Sequence, residues 1–384
     1  MLDPNDWNRP HPYEASLRST FIHSADVMTQ KVAAYLRKVA RQGYDAAQTQ
    51  VLQAFEPLGR HIPKDYVDFL IVLLLVDREK RTPADPENDP LDARAGLPED
   101  EFEGLDDWGI QHDREFYPPL HLRPPFLFLL ETHEDEGLRL IHTLLNVTTR
   151  RWRRWIISGD GGTTFTPRPV TLDLQTGPHQ LWGDPYVYSW FRTNGSGPAA
   201  LTSALMALEK WMETQIERGR EPQELFTKVL MDSECIAVAG VCLAIALAYS
   251  DRSNEARSDN ILRAALSLTI SPALWRLDSH RWAMDMNFPC PFLSPLTLAG
   301  SQIRSLYVER AQRPQRFNDV RLLATWCAHS EHEDLREPVK RRLALFPDEP
   351  FFFCDEEEQE AELVAQVREQ MQSWAPFGDR ANYT

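Results

Sequence analysis

The chain has 384 residues and carries 41 Lys and Arg against 57 Asp and Glu, a formal charge of −16. A content of 42% hydrophobic and 10% aromatic residues excludes global disorder, because that much apolar surface can offset the entropy of ordering. The acid excess disfavours a general polyanion binder, whose affinity would come from Lys and Arg neutralising phosphates, while the length allows two or three domains or one extended array.

The predicted elements begin at the N-terminus, where Met1 to Pro10 lacks the charged and then apolar layout of a signal peptide. Leu17, Phe21, Met28, Val32, Leu36 and Val39 recur at three- and four-residue multiples, which predicts one amphipathic helix over 14–42, stopped by Gly43. Pro63 suits the first position of a second helix running through the apolar stretch Phe69 to Val76. Residues 80–119 change character: they are proline-bearing and strongly acidic from Pro98 to Asp107, which reads as a surface loop or partly disordered insertion.

A long helix follows. Thr132 is its expected cap, Glu134, Asp135 and Glu136 fall in its first turn, and Leu138, Ile141, Leu145, Thr148, Trp152 and Trp155 trace one face. Its end carries Arg150, Arg151, Arg153 and Arg154, with Gly159 as the stop. Alternation of Val170, Leu172 and Leu174 with polar residues, then Thr176-Gly177-Pro178, predicts a small β-hairpin over 168–182.

From Asp184 onward, prolines 185, 198, 222, 272, 295 and 338 each fit a helix start, so the 28 prolines are compatible with a helical protein. Helical stripes follow at Leu201, Leu205, Leu208, Met212 and Ile216, and at Leu363, Val364, Val367, Met371 and Trp374. Asp355 with Glu358 resembles a capping box for the last of these helices. The apolar run Cys235 to Tyr249, about fifteen residues, is shorter than the ~20 needed to cross a bilayer and reads as a buried core helix. The five cysteines are odd in number and widely spaced, as expected of free thiols in a reducing cytosol, so a cytoplasmic location is expected.

Chemical motifs are few. The cluster Arg150, Arg151, Arg153, Arg154 and Trp155 is the one dense basic and aromatic stretch, a candidate surface for phosphates and bases or for an acidic protein; the same residues also suit a helix end and an apolar stripe. The glycine-rich stretches 158–162 and 194–198 lack the Lys of a phosphate-binding loop and read as a helix stop and a turn before a helix. His329 and His332 could share a metal if a third ligand met them, but no distant ligand is recognisable and a solvated helix start explains them. An α/α-barrel glycoside-processing enzyme could use Asp184 and the stretch Trp275 to Asp285, although Asp184 before Pro185 is also an ordinary N-cap.

Four stretches carry a resemblance: Leu2 to Trp7; Tyr117-Pro118-Pro119 with Pro125-Phe126-Leu127; Trp182-Gly183-Asp184 with Val187 to Trp190; and Ser203 to Glu209. In this order they resemble the helical region of very large bacterial ATP-binding proteins of the antiviral-defence kind. That resemblance implies a segment whose nucleotide site lies in a separate P-loop domain, and the ending Phe377 to Thr384, without a helix stop, suits an excised piece.

The expectation is therefore a mainly α protein, an irregular α-solenoid or α/α layered helical array with one small β-hairpin insertion. Its expected parts are N-terminal helices over 1–79, the acidic loop over 80–119, the long helix and hairpin over 120–183, and a helical-repeat region over 184–384. The expected role is a non-catalytic scaffold or sensor module that binds another protein or self-assembles, with no cofactor, no metal and no membrane, nucleic acid being disfavoured by charge.

Overall fold

The computed structural model describes residues 12–42, 45–75, 108–158, 165–192, 197–250, 255–287, 305–306, 309, 313–355 and 359–379. The protein is mainly α, with one two-stranded antiparallel sheet among the described residues. Gly43, the acidic run and Pro295 lie outside them.

The N-terminal helices are α1 (Pro12–His23), α2 (Thr29–Gln42), α3 (Asp45–Gln53), α4 (Phe55–His61) and α5 (Pro63–Leu74). The single helix expected over 14–42 is thus two. Ser24 Oγ donates to the Phe21 carbonyl at 2.7 Å, and this local bond offers the backbone an alternative to the helix. The break re-phases the stripe: Ile22, Val32, Leu36 and Val39 are buried, while Leu17 and Met28 face outward. Pro63 opens α5 as expected, and Phe69, Leu70, Leu73 and Leu74 are buried.

Within 108–119 the surface-loop reading describes Gln111, Arg114, Glu115 and Tyr117, which are exposed, but not the apolar residues between them. Trp108, Ile110 and Phe116 are buried, because these large apolar side chains gain more from the core than from water. The Gln111 amide also donates to the Leu74 carbonyl at 2.8 Å, which fastens this segment to the end of α5.

Next come α6 (Phe126–Thr132) and α7 (Glu134–Ser158). Thr132 does not cap α7. Its hydroxyl bonds back to the Phe128 carbonyl at 2.7 Å, making it the last residue of α6. The hairpin is β1 (Val170–Leu174) and β2 (Gly177–Leu181), with Val170 opposite Leu181 and Leu174 opposite Gly177. Trp182, just beyond β2, donates to the Glu234 carbonyl at 2.7 Å and accepts from the Ile236 amide at 3.0 Å, so the hairpin is fastened to the central helices.

The remaining helices are α8 (Pro185–Tyr188), α9 (Ala199–Glu217), α10 (Pro222–Met231), α11 (Ile236–Tyr249), α12 (Glu255–Ala264), α13 (Leu266–Thr269), α14 (Pro272–Asn287), α15 (Val320–His329), α16 (Glu333–Ala344) and α17 (Ala361–Trp374). Pro185, Pro222 and Pro272 are first residues as expected, and Pro198 stands just before α9. Pro338 is an exception and lies inside α16. The buried stripe Leu335, Val339 and Leu343 carries the helix through it at the cost of one backbone hydrogen bond. The capping box expected at Asp355 needs Glu358, which lies outside the described residues; α17 starts at Ala361, with Glu360 as an N-cap that makes no side-chain bond.

Packing runs along a path: α2 on α5, α5 on α7, α7 on α6, α6 on α9, α9 on α11, α11 on α15 and α15 on α16. One apolar core follows this path from Ile22 to Trp374. At its centre α11 is buried from Ile236 through Leu247, as the unbroken apolar run requires. The approach is close at Gly240, where an added Cβ would lie 2.3 Å from Phe191 Cε1. None of the helices is long and apolar enough to cross a membrane among the described residues.

Candidate functional site

The arginine cluster lies on the last turns of α7. Helical phase buries Trp152 and Ile156 and turns Arg150, Arg153, Arg154 and Ile157 outward. Each arginine then meets a different environment. Arg150 forms a fork with Glu234, its Nε 2.8 Å from Oε2, and this carboxylate holds the guanidinium above its usual pKa. Arg151 donates to the Gly109 carbonyl at 2.7 Å. Gly109 adopts φ +67°, and a Cβ there would collide with that guanidinium. Arg153 stacks over the Trp182 ring, 3.7 Å from its centroid. Arg154 is exposed.

Trp155 is half-buried and packs on Trp108, whose ring also stacks with Tyr186 and meets Trp190 edge-on. The structure therefore gathers the predicted residues on one helix end, and three of the four arginines hold neighbouring parts of the chain. The other predicted acid, Asp184, is an N-cap that accepts from the Val187 amide at 2.9 Å, and burial raises its pKa. Trp275 is wholly buried, packed against Phe346, Trp374 and Phe377.

A second polar group was not recognised from sequence: the buried charges between α9 and the segment before α15. Arg316 Nη2 donates to both oxygens of Glu209, at 2.8 and 2.7 Å, and Arg313 pairs with Glu213 at 2.5 Å. Burial, and the neighbouring Glu209 charge, push the Glu213 carboxyl above its ordinary pKa. Nearby, Asp278 accepts the Tyr188 hydroxyl at 2.7 Å and the Val320 amide at 2.8 Å; burial raises its pKa too. Sequence held half of the signal, since Glu209 and Glu213 continue the apolar stripe of Leu205 at four-residue steps. Their partners lie about a hundred residues away and have no sequence cue.

A third feature is a cleft of about 150 Å³ between α12 and the α15–α16 turn. Ser250, Asp259, Trp326, His329, Glu331 and His332 line it, and His332 Nε2 lies 2.9 Å from Asp259 Oδ2. The histidine pair read as a solvated helix start thus meets a carboxylate from another helix. Among the described residues no three His, Cys, Asp or Glu side chains converge as metal ligands.

No family model matches the chain, and no curated protein matches it.

Proposed function

We propose that this chain is a non-catalytic helical scaffold or sensor module that binds another protein. The observation that carries the reading is the outer face of α1, where Tyr13 and Leu17, one helical turn apart, are 74% and 70% exposed; in the following turn Val27 is 80% exposed. Large apolar side chains one turn apart on the same exposed helix face suit contact with another molecule. By contrast, the groups that carry chemistry in sequence are spent inside the fold: Asp184 caps α8, Asp278 bridges Tyr188 and Val320, and Arg150, Arg151 and Arg153 fasten α7 to its surroundings. The resemblance to the helical region of defence-type ATP-binding proteins supports assigning the module to assembly or sensing within a larger machine, and a cytoplasmic setting suits the buried free thiols.

The test combines turnover and contact. The purified chain is expected to hydrolyse neither ATP nor glycans. A photo-crosslinker in place of Tyr13 is expected to join a partner protein, and Leu17→Lys with Val27→Lys is expected to abolish that crosslink. ATP hydrolysis that co-purifies with the chain and responds to its substitution would overturn the reading.

A further inference from the structure

The exposed apolar face of α1 continues onto α2, and what borders it there is positive. We infer that the joined face of α1 and α2 docks an acidic amphipathic helix of a partner protein, which rests on the protein-binding reading and gives that partner a chemical class.

Leu17 and Phe21 stand one turn apart on α1, and Leu17 is largely exposed. The half-buried Phe21 ring meets the Tyr35 ring of α2 edge-on, with 5.5 Å between centroids, so the apolar face passes from one helix to the other. Val27 and Met28, in the turn between the helices, are exposed as well. On α2, Lys31 comes one turn before Tyr35 and Lys38 one turn after it, which puts both lysines on the side of the helix that carries this ring, and both are exposed. Ala34 lies exposed between them, and its short side chain leaves room for a partner helix to approach.

Charge decides the occupant. α2 contains no Asp or Glu. Arg37 points to its other flank, where Asp65 takes it at 2.7 Å, whereas Lys31 and Lys38 form no ion pair among the described residues. Two acids accompany the face: Asp26 Oδ1 accepts the Val27 amide at 2.9 Å, and Glu14 sits in the first turn of α1, where the helix dipole favours it. The lysines thus form a positive island on a chain of net charge −16. An acidic helix meets a net negative molecule elsewhere and is attracted here, which fixes where it lands, while its apolar stripe covers Leu17 and Val27. An anionic bilayer is a plane rather than a rod; it would press on the acidic surroundings of the island as well, so it fits this charge pattern less well.

Fluorescence anisotropy of the whole chain with two labelled helical peptides of about 18 residues tests this, one with Glu flanking a Leu stripe and one with Lys in each Glu position. The Glu peptide is expected to bind saturably, to bind at least about tenfold more weakly to Lys31→Glu with Lys38→Glu and likewise to Leu17→Lys, and to be released in about 1 M salt. Lys340→Glu with Arg341→Glu, an exposed basic pair on α16, is the outside control and is expected to leave binding unchanged. Lys31, Lys38 and Leu17 are all exposed, so their variants keep the core intact. Equal binding of the two peptides, no binding of the Glu peptide at about 1 mM, unchanged affinity in both variants, or binding of phosphatidylserine vesicles in place of the peptide would overturn the acidic-helix assignment. A Tyr13 crosslink that persists in Lys31→Glu with Lys38→Glu would overturn it while leaving the protein-binding reading intact, and the absence of any protein crosslinked at Tyr13 would overturn both.

Discussion

Arg316 reaches both oxygens of Glu209 through one guanidinium nitrogen, at 2.8 and 2.7 Å, and Glu209 is a carboxylate with no solvent exposure. The pair joins α9 to the chain before α15 across a sequence separation of 107 residues. The Arg316 guanidinium also lies 5.8 Å from the Phe191 ring centroid, so the charge is packed between an acid and an aromatic face.

Removing one partner leaves the other charged and buried. Glu209→Leu is expected to cost about 3–5 kcal/mol, whereas Glu209→Leu combined with Arg316→Met should cost less than the single substitution. Urea unfolding of the two singles and the double measures the coupling. Strict additivity would show that the two charges do not stabilise each other.

Glu213 predicts a pH effect of definite sign. Its folded pKa is raised, chiefly by burial and next by Glu209, so the folded protein holds this proton more tightly than the unfolded chain does. Its contribution to stability is therefore full below the unfolded value, about 4.3, and erodes as pH rises through the folded pKa. Glu213→Gln cannot lose that proton. The stability of this variant relative to the wild type is expected to increase with pH above about 4.3, as read from chemical denaturation at a series of pH values. A difference that shrinks with rising pH would contradict the assignment.

Asp113 acts as a cap supplied from a distance. Its two oxygens accept the Ala199 and Ala200 amides at 3.0 and 2.8 Å, closing the first turn of α9, whose own N-cap residue is Pro198 and has no side-chain acceptor. Asp113→Ala is expected to destabilise the protein by about 1–2 kcal/mol and to speed hydrogen exchange at Ala199 and Ala200 specifically. Exchange that rises evenly across α9 would indicate a general loss of packing instead.

How much of this was legible varies by element. The fully apolar run Ile236 to Tyr249 announced a buried helix, since no solvent-facing side was written into it, and the alternation at Val170, Leu172 and Leu174 announced the hairpin with its edges nearly in place. Helix ends were less legible. Ser24 and Thr132 each chose a backbone carbonyl three or four residues back, a local choice between competing hydrogen bonds, and Pro338 was carried inside α16 by burial of the stripe around it.

The candidate sites divide in the same way. The arginine cluster of α7 could be found from sequence, yet nothing in the order of residues tells that Arg150 meets Glu234 or that Arg153 covers Trp182. The cleft at Asp259 and His332 joins residues 73 positions apart, His332 being one of the two histidines that read as a solvated helix start because no distant ligand is recognisable in the sequence.

Sequence by itself determined which residues needed burial, and with it the helical class, the hairpin and the central helix, because apolar periodicity reports the face that leaves water. Tertiary structure alone decided which charges became partners and which stayed exposed. Those outcomes depend on distances between segments far apart in the chain, where a few ångströms separate a buried ion pair from an open site.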